Sequence, residues 1–379
     1  MLAPRELSDL LPETVPYAVA RAETLDGLPW LAVHKGMLDA LDPAVLARAS
    51  ATLRPVFANE VFVVLTARPD LRPLAADDRH VAALGSALRA RQGPASAGPA
   101  ERMVAPLLAG PGQVGDVSRS ALEAACRAAS QAAYLGGAVA VCRVLTRYLC
   151  YCDTSDRSLT PHLLLDGYWE SWITQAMARV LRPGMRCLDL GANVGYFTLL
   201  MADAVGPEGR VAAVEANPRL VDLLGRSVDV NGFRDRVRLF HAAAADRSGD
   251  RLHLHVPAGH LGDGAVATYA GPESVEVDTA AVDDLLADWD RLDVVKVDIE
   301  GAEEAAWRGM SGLLGRSPGV TVVTEFDARR HYDARDFLGR MAAAGFRLRH
   351  VEDDGSIADL TAARALSEPR LWTLWLSRS

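Results

Sequence analysis

The stretch Cys187-Leu-Asp-Leu-Gly-Ala-Asn-Val-Gly-Tyr-Phe197 decides the fold. Leu188 and Leu190 alternate as in a strand, Gly191 opens a tight turn, and the chain from Val194 onward reads as a helix. Glycines at 191 and 195 let the backbone approach a ligand at the start of that helix. The spacing is Gly-x-x-x-Gly, which differs from the Gly-x-Gly-x-x-Gly that cradles a dinucleotide pyrophosphate. Asp189, just before the turn, would repel a pyrophosphate and suits a ligand bearing ammonium or sulfonium charge.

Outward from this unit, strands alternate with helices. Strands are predicted at 186–190, 210–215, 237–241, 293–299, 320–325, 347–352 and 370–377, with helices between most of them. Such alternation implies a parallel sheet covered by helices on both faces, with the ligand beyond the carboxyl ends of its strands. Glu215 ends the second strand 24 residues after Gly191. An acid about 20 residues on is the one that binds ribose hydroxyls in such folds. The third strand runs into Ala242-Ala-Ala-Ala-Asp246, where small side chains leave room for a flat base and Asp246 is a candidate for its amino group.

The fourth strand, Asp293-Val-Val-Lys-Val-Asp-Ile-Glu-Gly-Ala-Glu303, places Val294, Lys296, Asp298 and Glu300 on one face. A lysine inside a valine strand is costly unless paired, and Asp189 and Glu325 on the neighbouring strands are its expected partners. Asp298 and Glu300 then project toward the pocket. Asp298, Glu300 and Glu303 have the oxygen chemistry of a hard-cation site, and His253, His255 and His260 form a loose histidine group. Nothing in the sequence requires a metal, and none is assigned; the histidines read as a polar sheet face.

Composition sets the outer limits. The 379 residues carry 40 basic and 49 acidic side chains, a net charge of −9, with 50% hydrophobic and 23% charged residues. That is the profile of a globular chain long enough for two domains. The acidic balance gives no electrostatic reason to bind nucleic acid or an anionic membrane. Five cysteines, at 126, 142, 150, 152 and 187, make no disulfide framework, and Cys150 and Cys152 read as packed thiols. The longest apolar run, Ala132 to Cys142, is too short to span a bilayer, and the first residues lack a signal-peptide profile. A soluble cytoplasmic protein is expected. Gly/Pro-rich stretches at 92–100 and 110–115 mark a linker. They divide a mixed α/β accessory domain, 1–115, from a domain at 116–379.

The order Asp-Leu-Gly-Ala-Asn-Val-Gly, Glu-Ala-Asn-Pro and Val-Lys-Val-Asp-Ile-Glu-Gly-Ala-Glu resembles the FkbM-type methyltransferases over about residues 160–350, including Leu165-Asp-Gly-Tyr-Trp-Glu-Ser171. The fourth-strand motif is the most specific part. The resemblance implies a Rossmann-like class I methyltransferase fold, with a seven-stranded, mostly parallel sheet whose last strand is antiparallel. It implies S-adenosylmethionine as cofactor and methyl transfer to oxygen. Gly191, Asn193 and Gly195 then correspond to the loop against the cofactor, supported by Asp189. Glu215 corresponds to the ribose ligand and Asp246 to the adenine-side contact, while Glu170 closes the pocket. Asp298 faces the transferred methyl as first candidate for the base, followed by Glu325 and His331, with Lys296 holding the carboxylates. The expected acceptor is a hydroxyl on a small molecule or glycan; residues 1–115 lie outside the resemblance and are expected to serve acceptor binding or homodimerisation. Two alternatives stand beside this reading: a nicotinamide oxidoreductase on a doubly wound fold, and a non-catalytic cofactor-binding module.

Overall fold

In the computed structural model, residues 1–3, 14–17, 20–34, 41–58, 62–75, 78, 80–82, 84–85, 110–271 and 274–378 are described. They fall into two units, Met1–Arg102 and Met103–Ser379. The linker expected at 92–100 lies outside the described residues.

The smaller unit holds a five-stranded sheet in the order 15–16, 2–3, 30–34, 62–66, 54–58. Helix Pro43–Thr52 begins where Asp42 accepts a hydrogen bond from Ala44 N at 2.8 Å. Its buried Val45, Leu46 and Ala49 share one core with Leu31, Val33 and Val63.

The larger unit begins earlier than the sequence suggests. Pro111–Asp116 is a helix, with proline at its first position. Val114 is fully buried, and Gln175 Nε2 donates to the carbonyls of Val114 and Val117 at 3.2 and 2.6 Å. The 110–115 stretch, read as linker, is therefore part of this unit. Its glycine has a packing role: a side chain at Gly115 would run into Arg179. Arg119–Ala129 is a helix, followed by an exposed strand, Ala132–Gly136. That strand pairs with Val139–Val144, which pairs in turn with Tyr148–Asp153. Cys142 and Cys150 face each other there, and all five cysteines are buried and free.

The central sheet comprises β1 (Arg186–Leu190), β2 (Arg210–Glu215), β3 (Val237–His241), β4 (Val294–Val297), β5 (Thr321–Phe326), β6 (Arg347–Val351), β7 (Ile357–Asp359) and β8 (Trp372–Ser377). Its order is β3-β2-β1-β4-β5-β8-β6-β7. The first five strands run parallel, and β8 is antiparallel to both neighbours. The sheet has eight strands where seven were expected. β7 is three residues after a turn at Gly355 (φ 76°), too short to carry a period-2 signal. The chain reverses direction across the sheet at β1/β4, which opens a crevice there. Helices α1 (Ser171–Ala178), α2 (Tyr196–Val205), α3 (Pro218–Val230) and α4 (Glu303–Gly309) surround it. A second, four-stranded sheet, in the order 243–244, 275–280, 251–255, 265–267, stands beyond β3 and carries the 256–264 loop to the crevice. No helix among the described residues is long and apolar enough to cross a membrane.

Candidate active site: a two-lobed cleft at the strand ends

Two adjoining cavities open where β1, β2 and β4 end. They share Gly191, Glu215, Gly262, Asp298 and Glu300. The first is walled by Ala242, Ala243 and Ala244 with Leu254, Leu261 and Val266. The second is charged, lined by Glu170, Asp263, Lys296 and Glu325 beside Trp169, Tyr196 and Phe197.

The turn after β1 is built by close approach. Gly191 has φ 75°, and a Cβ there would fall 1.8 Å from the Asp298 carbonyl oxygen. Only glycine lets the end of β4 lie against this turn, where Asp298 N donates to Leu190 O at 3.0 Å. A Cβ on Gly195 would meet Leu224 of α3 at 2.4 Å, so the second glycine seats one helix against the other. Both glycines thus answer first to packing within the protein. Between them, Asn193 takes φ 51° and donates its backbone N–H to Glu215 Oε2 at 2.8 Å.

Glu215 is 8% exposed, and its other oxygen accepts from Asn217 N at 2.8 Å. Burial pushes its carboxyl up, and the backbone N–H groups of Asn217, Asn193 and Ala216 act against that shift. Two of its lone pairs are thereby used, and the rest are left for a ligand at the wall common to both lobes.

Lys296 is the cation at the floor. It is 4% exposed, and Nζ lies 2.9 Å from Asp298 Oδ2 and 4.7 Å from the centre of the Phe197 ring. Its expected partners were Asp189 and Glu325. Among the described residues the ion pair is made with Asp298 instead, two positions along the same strand face. Asp189 sits opposite Lys296 in the β1–β4 register and receives Thr198 Oγ1 at 2.6 Å, while its Oδ1 is buried without a hydrogen bond. Burial acts against the Lys296 charge. Asp298, Asp189 and Glu170 together outweigh it and hold the ammonium's pKa above its ordinary value.

Glu325 does reach the cleft, but its partner is Arg330, at 2.7 Å. Arg330 also lies 3.4 Å from both Glu300 and Glu303. Burial and the charges of Asp298, Glu300 and Glu170 push the Glu325 carboxyl up, against the guanidinium. Oxygens of Asp298, Glu300 and Glu325 come within 4.8 Å of one another. Lys296 and Arg330 already supply positive charge to this group. Arg330 is the residue that sequence reasoning missed. The available signal was an excess of acids at 300, 303 and 325 that only a nearby cation could offset.

Glu170 precedes α1 with φ 39° and ψ 60°, a left-handed conformation costing about 1–3 kcal/mol for a residue other than glycine. Burial and the Asp298 charge push its carboxyl up to about 7, while Lys296 and Trp169 act the other way. Of the six non-glycine residues with positive φ among the described residues, three (Glu170, Asn193 and Glu300) line the charged lobe.

Four candidates line neither cavity: Asp189 and Gly195, which are buried, and Asp246 and His331, which fall outside the cleft. Asp246 lies past the point where Ala243–Ala244 leaves to pair with Thr279–Ala280, and it faces Arg308 at 3.6 Å. The alanines themselves form the wall it was expected to complete. His331 is exposed and lines neither cavity, whereas its neighbour Arg330 turns inward. The three histidines do not converge: His255 bonds Tyr269 O, and His260 faces Asp263.

The residues present fit S-adenosylmethionine. The alanine slot suits a flat base, Glu215 suits a ribose, and the carboxylate-rich lobe suits a sulfonium and an ammonium. Protein-L-isoaspartate O-methyltransferase of Triticum aestivum is 37% identical over 101 residues, 27% of this chain and 38% of that protein. Protein-L-isoaspartate O-methyltransferase 1 of Arabidopsis thaliana is 32% identical over 115 residues, 29% of this chain and 46% of that one. The chain thus spans less than half the length of these curated relatives. Among solved structures, precorrin-6y C5,15-methyltransferase of Geobacter metallireducens aligns with a TM-score of 0.32 and 13% identity, covering 54% of this chain and 86% of that chain. Residues 189–348 match the methyltransferase FkbM domain, the family that the strand-end motifs resemble.

Proposed function

We propose that the protein is a cytoplasmic S-adenosylmethionine-dependent O-methyltransferase acting on a hydroxyl of a small molecule or glycan. The observation that carries this reading is Glu215, buried at the end of β2 in the wall common to a small-residue slot and a carboxylate-rich lobe. When bound, the cofactor supplies an activated methyl carbon, so the protein's task is chiefly alignment and removal of one proton. Glu215 holds the ribose hydroxyls, and Ala242–Ala244 leave the base its slot. The turn at Gly191–Asn193 borders the methionine portion. Lys296 fixes Asp298 beside the reacting centre, and Arg330 fixes Glu325 and Glu300. Trp169 and Phe197 supply apolar walls that exclude water from the acceptor's approach. Residues 1–102 serve acceptor binding or dimerisation.

The test is transfer of labelled methyl from S-adenosylmethionine by the full chain to a panel of hydroxylated small molecules and oligosaccharides. Label appearing as an ether-linked methyl supports the reading. Transfer confined to carboxyl, nitrogen or carbon acceptors would overturn the O–H part of it.

A further inference from the structure

Six carboxyl groups line the charged lobe, and five are held by a basic side chain or by backbone amides. Asp298 holds Lys296, Glu300 and Glu325 share Arg330, Glu215 accepts from two backbone amides, and Asp263 stands 3.2 Å from His260. Glu170, like Glu215, makes no ion pair among the described residues, and its hydrogen-bond partner is the Trp169 side chain. It also occupies the N-cap position of α1 without using its side chain as a cap. Its backbone carbonyl accepts from Thr174 N at 2.9 Å, and Thr174 Oγ1 donates to Trp169 O at 2.9 Å. The left-handed backbone is therefore pinned from the helix, and the carboxylate faces the cavity in place of the helix end. Strain concentrated where a side chain is presented to a cavity is characteristic of working sites.

We propose that Glu170 is the base that takes the acceptor's hydroxyl proton, and that arrival of the sulfonium cation in the charged lobe is what empties it for that task. The proposal rests on the methyltransferase reading above. The acceptor O–H bond breaks and its proton passes to a Glu170 carboxylate oxygen. The acceptor oxygen gains the methyl carbon, and the electron pair of the broken S–C bond stays on sulfur.

The charged and titratable groups facing Glu170 are Lys296 and Asp298 at the end of β4, Glu325 on β5 and Tyr196 on α2, with Trp169 beside it and Asp263 and Glu300 farther along the wall. In the free protein the Asp298 charge and burial favour the protonated carboxyl. A cation in the lobe opposes the Asp298 charge and favours ionisation. Once the methyl has left, the sulfur is neutral, the earlier balance returns, and the proton taken from the acceptor is retained.

The experiment needs no acceptor. Calorimetry on the full chain near pH 7, in two buffers of different ionisation enthalpy, counts protons released on binding S-adenosylmethionine and S-adenosylhomocysteine. Wild type and Glu170→Asp should release more protons with the sulfonium ligand than with the neutral one, and Glu170→Gln should lose that difference while binding both. In protein carrying ¹³C-labelled glutamate carboxyls, one signal, absent from Glu170→Asp, should titrate near neutral pH. Its midpoint should fall by about one unit or more with S-adenosylmethionine only. Equal proton release by wild type and Glu170→Gln, or a midpoint unmoved by the sulfonium, overturns the role of Glu170. A wild-type chain that binds neither ligand overturns the methyltransferase reading, and this proposal with it. Should Glu170→Gln fail to fold, the wild-type and Glu170→Asp spectra still decide the matter.

Discussion

The two lobes of the cleft recognise by opposite means. The alanine lobe works by what is missing: Ala242, Ala243 and Ala244 form a wall with almost no side chain, closed by Leu254, Leu261 and Val266. The charged lobe works by what is crowded together, six carboxyl groups against Lys296 and Arg330. A local run of small residues builds the first. The second is assembled from β1, β2, β4, β5, the residue before α1, the 256–264 loop and the 327–332 turn: Lys296 pairs with Asp298 along its own strand, Arg330 reaches Glu300 and Glu325 from another element, and Glu170 makes no ion pair among the described residues. One lobe is tolerant and shaped, and the other is a balanced electrostatic group in which removing any one charge changes the rest.

If that contrast holds, the largest effect belongs to the floor of the charged lobe. Lys296→Met strands half-buried Asp298, and fully buried Asp189 opposite it, as uncompensated carboxylates. Denaturant unfolding at neutral pH should show a loss of about 3–5 kcal/mol. An unchanged midpoint would mean the carboxylates are screened by something other than the lysine.

The wall common to both lobes comes next. Glu215→Ala removes a charge-assisted contact worth about 1.5–3 kcal/mol, so S-adenosylmethionine should bind about 10–100-fold more weakly. The product S-adenosylhomocysteine should weaken equally, since a ribose contact does not depend on the sulfonium. A selective loss for one ligand would move Glu215 from the ribose to the charged end.

A smaller effect follows from Glu170. Its folded-state pKa, about 7, lies above the ordinary 4.5, so the native state binds the extra proton between those values. Stability therefore falls as pH rises through that window and levels off above it. Relative to Glu170→Gln, the wild type should lose about 1–2 kcal/mol between pH 4.5 and pH 7.5, a figure reduced for partial solvent access. Thermal unfolding of both proteins across that range checks it, and parallel curves would contradict it.

The smallest effects are expected outside the cleft. Asp246→Ala and His331→Ala should each change stability by no more than about 0.5 kcal/mol and leave cofactor binding unaltered. A tenfold change in binding for either would show that the cleft extends past Ala244 or past Arg330.

What the sequence made legible follows the same division. Strand ends are marked by local motifs, so Gly191, Glu215, Lys296, Asp298 and Glu325 could be brought to one crevice from spacing and alternation, whereas Asn193 came from the family resemblance. The alanine wall was equally plain, although Asp246 was carried into it because the departure of Ala243–Ala244 to the second sheet has no local signature. Partners across elements were harder. Asp189 and Glu325 were natural mates for Lys296, yet a side chain two residues along the same strand lay nearer, and Glu325 had Arg330. Arg330 was hidden among many surface-like arginines beside a more suggestive histidine. The helix at Pro111–Asp116 read as linker because Gly and Pro dominate it, and only tertiary packing of Val114 and Gln175 makes it regular. Residue 357–359 strand pairing was too brief to leave a pattern.

The central claim is that this cleft takes S-adenosylmethionine. Titration calorimetry of the full chain, set side by side for S-adenosylmethionine, S-adenosylhomocysteine and NAD, tests it most directly. Saturable one-site binding of the first two, with none for NAD and clear weakening by Glu215→Ala, is the result the structure predicts. Saturable binding of NAD with no heat from either sulfur ligand would contradict it.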